Sequence, residues 1–473
     1  MDPSLAKEKK ILEDLQRLSR NDMDPSSGYM WGHSYEHGLK NLKQIVEKAY
    51  LLYLEKNMLD PTVYPSIIKL ENDVVEFVAR YFNTGQKGAG TFTSGGTESI
   101  MLAILAATKY YEKKYGKKPE LVLPITAHPA FHKAAFYLGL RTKVIPVDNN
   151  YMVVEPEVVA EALEDTATIV AISAPNYPYG SIDPVESIAK QLDERVWIHV
   201  DACIGFILPF LELLGENIEP YDFRVSNLYS ISTDLHKYGY VPKGASVILY
   251  RDKNLRLFHY YAYSRWPGYP LVNTTVLSSR TAGGLAASWA TIRFLGEDGY
   301  VELARRVLET RKILENRIVK IGYKVVGKPQ AGILAFSSES IDIYALADIM
   351  RSKGWYVQVQ PGSIELGIEP SIHLTIAPIH YMVVEKFLED LEEATKEAEK
   401  VGRIDVPIDI LRWENEEEVW LSLPRILELV GVSRGKLPKE GRILNMLINR
   451  LPPEIVEYAL KYAVNEIYTA SRR

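Results

Sequence analysis

The chain of 473 residues is 47% hydrophobic and 25% charged, enough apolar material for one large core with a smaller companion, so disorder is not the default reading. A formal charge of -6 gives no bulk electrostatic reason to bind nucleic acid, whose backbone favours a basic face, although a local basic pocket for a phosphate stays open. The single cysteine, Cys203, rules out an intrachain disulfide framework and a thiolate metal cluster, and fits a reducing, cytoplasmic compartment.

Met1 to Lys10 is polar and charged, without the apolar centre of a secretion signal. No apolar run reaches the roughly 18 residues needed to cross hydrocarbon, so no transmembrane segment is expected. Helical periodicity covers 5–18, 39–53 and 67–81. Between these lie a turn-rich stretch from Asp24 to Gly32 and a connector from Asn57 to Pro61. Residues 1–75 therefore read as a helical arm that either packs on its own domain or wraps a neighbour. The 30 tyrosines suit buried surfaces that need a hydroxyl, subunit interfaces included.

From Thr91 a Gly-rich turn feeds a helix over 100–108. Strands at 121–124, 143–147, 168–173 and 197–200 then alternate with helices at 130–138, 155–163 and 183–192. Short apolar runs alternating with helical patterns predict an α/β unit, 76–300, with a mainly parallel sheet covered on both faces. Its ligands belong where strand ends meet helix starts. A smaller α/β unit, 301–400, is expected from a helix at 301–319, strands at 323–326 and 333–336, a helix at 341–352, strands at 356–359 and 372–376, and a closing helix at 382–401. The extension 401–473 carries the acidic run Glu414-Asn415-Glu416-Glu417-Glu418 and a Pro452-Pro453 break, and reads as helical packing or a loosely held tail. No internal repeat is present.

Three constellations carry chemistry. Thr93-Ser94-Gly95-Gly96-Thr97-Glu98-Ser99 precedes a helix. Adjacent glycines let backbone amides approach, and the helix N-terminus offers unpaired N–H groups and a favourable dipole to a phosphate. Thr97 or Ser99 can add a hydroxyl donor. The spacing is neither that of a triphosphate loop nor that of a dinucleotide fingerprint. In His199-Val200-Asp201-Ala202-Cys203, Asp201 ends an apolar strand, where an acid needs a partner such as a protonated ring nitrogen. Ala202 is small enough for a flat ring to lie against. In Ser232-Thr233-Asp234-Leu235-His236-Lys237-Tyr238-Gly239-Tyr240, the lysine amine can form an imine with an aldehyde cofactor, its pKa lowered by burial and neighbouring positive charge, while His236 donates to a phosphate.

Singly, each has a plain structural reading: a tight turn, a cap, a surface pair. Their order joins them, because one cofactor with a phosphate, a basic ring nitrogen and an aldehyde uses all three. His128 follows the next strand, where an imidazole could stack on the ring and move a proton. Cys203 reads as a small buried hydrophobe. The nine histidines show no His-Glu-x-x-His pattern, so no metal site is expected.

These motifs, with Tyr238-Gly239-Tyr240-Val241-Pro242-Lys243-Gly244, Ser279-Arg280-Thr281-Ala282-Gly283-Gly284 and Gly296-Glu297-Asp298-Gly299-Tyr300, resemble the group II pyridoxal-phosphate decarboxylases, and within them the sphingosine-1-phosphate lyases. The likeness runs from about Trp31 to Thr395. It implies a fold-type I homodimer, with both active sites at the subunit interface, and pyridoxal 5'-phosphate held as a Schiff base on Lys237. It further implies that Asp201 binds the pyridine nitrogen, that His128 stacks on the ring, and that Gly95, Gly96, Thr97 and His236 hold the phosphate. The backbone at Gly283 and Gly284 corresponds to the segment reaching the partner's phosphate. Tyr238 and Tyr240 are expected proton handlers.

Of the lyases' substrate-phosphate ligands, a lysine is kept as Lys243, but an arm tyrosine and a connector histidine correspond to Met30 and Asp60. An anion at Asp60 would repel a phosphate. The Asp60-Pro61 pair resembles the connector of archaeal tyrosine and aspartate decarboxylases, while His33 or His37 could replace the missing ligand. The expected reaction is thus decarboxylation of an amino acid, with aldehyde cleavage of a phosphorylated β-hydroxy amine as the alternative; aminotransfer and a noncatalytic scaffold are lesser rivals.

Overall fold

The computed structural model describes residues 3–164, 167–403, 418 and 441–469. Its large sheet has seven strands: β1 (Ala89–Thr93), β2 (Glu120–Pro124), β3 (Thr142–Ile145), β4 (Thr168–Ser173), β5 (Trp197–Asp201), β6 (Leu228–Thr233) and β7 (Ser246–Tyr250). The order is β1-β7-β6-β5-β4-β2-β3. β7 alone runs against its neighbours β6 and β1; the other pairings are parallel. The mainly parallel sheet expected from the alternating pattern is present. Every residue of β4 and β5 is buried, which is why those strands are continuous apolar runs without alternation.

Helices Gly96–Tyr115 and Ala130–Leu138 cover one face, packing Ile104, Tyr111 and Phe131 around Trp197. Arm helix Ser66–Tyr81 packs on β1 and β7, and both it and arm helix Lys40–Leu52 pack on the helix Gly283–Ile321, burying Leu42, Val46, Val74 and Val78. The arm packs on its own chain from residue 29 onward: Tyr29 stacks on Trp355 at 4.0 Å and Trp31 on His380 at 3.9 Å, both of the small unit. The first helix, Pro3–Leu18, leaves Leu5, Leu12, Leu15 and Leu18 exposed.

The helix expected at 301–319 starts earlier, as Gly283–Ile321, and is broken at Gly296 (φ 56°, ψ -168°). It passes through residue 300 and links the large unit to the small one. There, an antiparallel sheet orders Lys324–Val326, Ile333–Ser337, Ser371–Thr375 and Gln358–Gln360. Helices Ile343–Ser352 and Val384–Val401 pack together against it.

In the extension, helices Arg442–Arg450 and Pro453–Tyr468 meet at the Pro452-Pro453 break, where proline suits a first helical turn. The first is docked on the small unit. Arg442 donates to Asp342 at 2.7 and 3.0 Å, and the Asn449 side chain donates to the Pro361 carbonyl at 2.9 Å. The acidic residues Glu414, Glu416 and Glu417 lie outside the described residues. Among the described residues no helix is long and apolar enough to cross a membrane.

Candidate active site

Because β1, β2, β4, β5 and β6 run the same way, the loops leaving their C-terminal ends gather at one edge of the sheet. A cavity of about 330 Å³ opens there, lined by Gly95, Gly96, Thr97, His128, Cys203, Asp234, His236 and Lys237 among others. The first and third sequence constellations and His128 therefore converge.

The cradle is tight by construction. Gly95 has φ 154°, a conformation that favours glycine, and a Cβ on Gly96 would lie 2.7 Å from Cys203 Sγ and 2.8 Å from the Asp234 carboxylate. Beneath it Ser99 is turned inward, sharing hydrogen bonds with Thr93 (2.6 Å) and Ser246 (2.9 Å), so its hydroxyl is committed to the scaffold. Thr97 stays exposed. Glu98 braces the loop: its carboxylate accepts the Ser94 amide at 2.6 Å and the Val276 amide at 2.8 Å.

Asp201 is buried at the end of β5, where its Oδ1 accepts the Cys203 amide at 2.9 Å. Ser232 of β6 approaches the same oxygen at 3.5 Å and is itself 3.3 Å from His199 Nε2. Burial holds His199 down to about 4, so this supporting imidazole is neutral. Ala202 beside it is fully buried. Burial, then the carboxylates of Asp201 and Asp234, push the Cys203 thiol up, and it stays protonated.

Lys237 departs from expectation. Burial alone would lower its pKa, but Asp234 in the first place, then Tyr35, Cys203 and Asp201, carry it well above the usual lysine value. Its Nζ lies 3.1 Å from Asp234 Oδ2, so the resting side chain is a paired ammonium. His128 and His236 are both held below the usual histidine range, chiefly by burial. Each accepts a backbone amide at Nδ1, from Ala130 at 3.1 Å and from Ala245 at 3.3 Å, which leaves the proton on Nε2.

Tyr238 is buried with its hydroxyl donated to the carbonyls of Gly332 (2.7 Å) and Ile376 (3.1 Å), away from the cavity. Tyr240, at φ 59°, packs against Tyr300 and His37. It lines a second cavity, of about 310 Å³, with Met30, His33, Tyr35, His37, Lys43, His236 and Lys243. His236 thus belongs to both cavities. Lys243 donates to the His33 carbonyl at 3.2 Å and sits 5.1 Å from the centre of the Tyr35 ring. Asp60 is elsewhere within the chain: its exposed carboxylate is turned onto Thr62, at 2.9 Å from the amide and 2.6 Å from the hydroxyl, beside a third cavity lined by Arg256 and Arg280. Gly283 and Gly284 open the long helix, against Tyr50 and Gly244.

Sequence reasoning missed Tyr35 and Tyr177, whose hydroxyls are electrostatically coupled to Lys237. Tyr177 follows β4, a strand end that the fold rule itself marks, and donates to Gln358 at 2.8 Å. It also passed over Asp234, which has a buried Oδ1 without a partner.

A glycine-rich turn at a helix start, His128 and a lysine amine line one cavity at the sheet edge, while Asp201 and Ala202 are buried at the adjoining strand end outside that lining; fold and family are those of a pyridoxal-phosphate-dependent lyase of fold type I. The chain belongs to the family described as "Pyridoxal-dependent decarboxylase conserved domain", whose model matches residues 7–339. It is 34% identical over 403 residues to the sphingosine-1-phosphate lyase of Oryza sativa subsp. japonica, covering 83% of this chain and 73% of that one. The solved sphingosine-1-phosphate lyase of Burkholderia pseudomallei K96243 superposes with a TM-score of 0.79 at 31% identity, covering 90% of this chain and 95% of that one. A protein of Methanothermobacter thermautotrophicus described as "Probable L-tyrosine/L-aspartate decarboxylase" is 32% identical over 354 residues, covering 74% of this chain and 93% of that one. The chain is accordingly a pyridoxal-phosphate-dependent carbon-carbon lyase.

Proposed function

We propose that this chain cleaves the Cα–Cβ bond of a phosphorylated β-hydroxy amine and releases an aldehyde. The observation that carries this reading is the second cavity, which adjoins the first through His236 and combines Lys43, Lys243 and His37 with apolar Met30, Val46 and Val241. Such a lining accepts an anionic headgroup together with a carbon chain. The greater extent of similarity to proteins named as sphingosine-1-phosphate lyases supports it. Decarboxylation, ranked first on sequence because Met30 and Asp60 stand where the lyases carry phosphate ligands, keeps the first of those grounds, since Met30 lines this cavity, and loses the second. Asp60, which was expected to repel a phosphate, lies outside this cavity within one chain.

The residues present fit pyridoxal phosphate: Gly96, whose place a Cβ would overfill, the His128 imidazole and the Lys237 amine line one cavity of about 330 Å³, and the buried Asp201 carboxylate lies at the strand end next to it. We assign Lys237 to its aldehyde, Asp201 to its pyridine nitrogen, His128 and Ala202 to its ring faces, and Gly95, Gly96, Thr97 and His236 to its phosphate. Bound there, the group supplies a sink for the electron pair released at Cα. Lys243 and His37 hold the substrate phosphate in this reading, His37 through Nε2–H, since its Nδ1 accepts the Leu39 amide at 2.9 Å. Burial raises the Tyr35 and Tyr177 hydroxyls, so they serve as proton donors to the carbon left behind. We further assign a homodimer, in which the exposed Tyr261, Tyr263, Trp266 and Tyr269 of the hairpin meet a second copy.

The test is product identification with a short-chain sphingoid-base phosphate, tyrosine and aspartate. Aldehyde from the phosphate alone is expected; carbon dioxide from either amino acid, without aldehyde, would overturn the reading.

A further inference from the structure

The Asp234 carboxylate occupies an unusual position. It is 2% exposed, yet it lines the cavity together with Gly96, His236 and Lys237. Oδ2 lies 3.1 Å from Lys237 Nζ and 3.5 Å from His236 Nε2. Oδ1 has no hydrogen-bond partner, and both oxygens would be 2.8 Å from a Cβ on Gly96. A buried carboxylate is costly unless it is paired, and here its ion partner is the amine that the proposed function uses as a nucleophile. The same acid also borders the cradle. The cavity-lining amine and cradle are therefore both referred to one side chain.

We propose that Asp234 is a positioning residue that holds Lys237 as an ammonium at the mouth of the cradle and thereby sets the pH range in which this lysine condenses with an aldehyde. The inference rests on the assignment of Lys237 made above. In the condensation a C–N bond forms, the aldehyde C=O bond breaks, and the oxygen leaves as water carrying two of the three ammonium protons. Before attack one of those protons has to leave nitrogen for solvent, and the ion pair with Asp234 opposes that loss, while the third proton stays on the imine nitrogen. The other charged and titratable groups facing Lys237 are Tyr35, Cys203, Asp201, His128, His236, Tyr177 and Lys243. Among the described residues, only Asp234 makes ion-pair contact with the amine.

The experiment uses full-length protein stripped of cofactor, with pyridoxal 5'-phosphate as probe and pyridoxal as a phosphate-free control. Condensation is followed by absorbance and by borohydride trapping, with the modified peptide identified by mass. Competitive acetylation of Lys237 without any aldehyde gives its titration independently. Asp234→Asn is expected to move both profiles to lower pH. A midpoint lowered by about one pH unit leaves about tenfold more neutral amine on the acid side, and so about tenfold faster condensation there. Asp234→Glu should restore the wild-type profile in part. The same displacement should appear with pyridoxal, which separates the amine's titration from loss of phosphate affinity. Superimposable profiles for wild type and a folded Asp234→Asn, by circular dichroism, would overturn the proposal. Wild-type protein that traps no label at Lys237 would instead overturn the assignment of that lysine.

Discussion

The Tyr238 hydroxyl donates to the Gly332 carbonyl at 2.7 Å, so the residue directly after the cavity lysine is bonded to the small unit. A Cβ on Gly332 would collide with that same oxygen, and only glycine admits the contact. Tyr238→Phe removes a donor from two buried carbonyls, at a cost of about 1 to 3 kcal/mol. The expected outcome is a lower melting temperature with cofactor absorbance kept. A folded, stable variant with the reaction stopped would instead make Tyr238 a proton handler.

Replacement of Lys237 by alanine removes the amine but leaves the cradle. Absorbance at about 420 nm should vanish, with residual weak phosphate-dependent binding. Persistence of the band at full intensity would count against the lysine assignment.

Asp201→Asn keeps the shape of the strand end and the acceptor for the Cys203 amide while removing the charge. If Asp201 pairs with the ring nitrogen as proposed, breaking one side of that buried charge pair costs about 2 to 5 kcal/mol, or a kcat loss of roughly 30- to 5,000-fold. Steady-state rates at saturating cofactor check this.

A methyl group at position 96 meets Cys203 Sγ at 2.7 Å and the Asp234 carboxylate at 2.8 Å. Gly96→Ala should therefore cost about 1 to 3 kcal/mol through overpacking, felt mainly as weaker cofactor binding. Equilibrium titration would show it, and unchanged affinity would mean that the cradle relaxes.

Burial pushes the Asp183 carboxyl up to about 7, against the downward pull of the Ser173 and Val154 amides at 2.8 and 3.2 Å. The unfolded carboxyl titrates near about 4, so the folded state resists the anion, and this group's contribution to stability falls as pH rises from about 4 to about 7. Above that window it is constant. Relative to Asp183→Asn, the wild type should lose stability there with a slope approaching about 1.4 kcal/mol per pH unit, read by denaturant titration at several pH values.

The parallel strands β2 to β5 were legible because burial on both faces makes them short apolar runs. β6 escaped for the opposite reason: its buried Ser230, Ser232 and Thr233 are polar, Ser230 bonding Trp197 and His199 and Ser232 approaching Asp201, so the strand lacks an apolar signature. The helix from Gly283 was read only after residue 300, since Gly296 breaks the periodicity. Gly96, His128, His236 and Lys237 could be grouped in advance because one ligand needs all their chemistries in that order. Tyr35 could not, because it reaches the lysine only when the arm folds back across the sheet edge, a contact no local pattern encodes. The raised lysine was missed because its cause, Asp234, acts through a loop geometry that spacing alone does not specify.

The docking of the terminal helices has a reach beyond its own surface. Asn449 secures the carbonyl of Pro361, which directly follows the strand Gln358–Gln360, and Gln358 in turn receives the Tyr177 hydroxyl. The helix Arg442–Arg450 is thereby mechanically in series with Tyr177, whose hydroxyl serves as a proton donor in the proposed function, and removing that helix would slacken a tether while leaving every proposed reacting atom in the molecule.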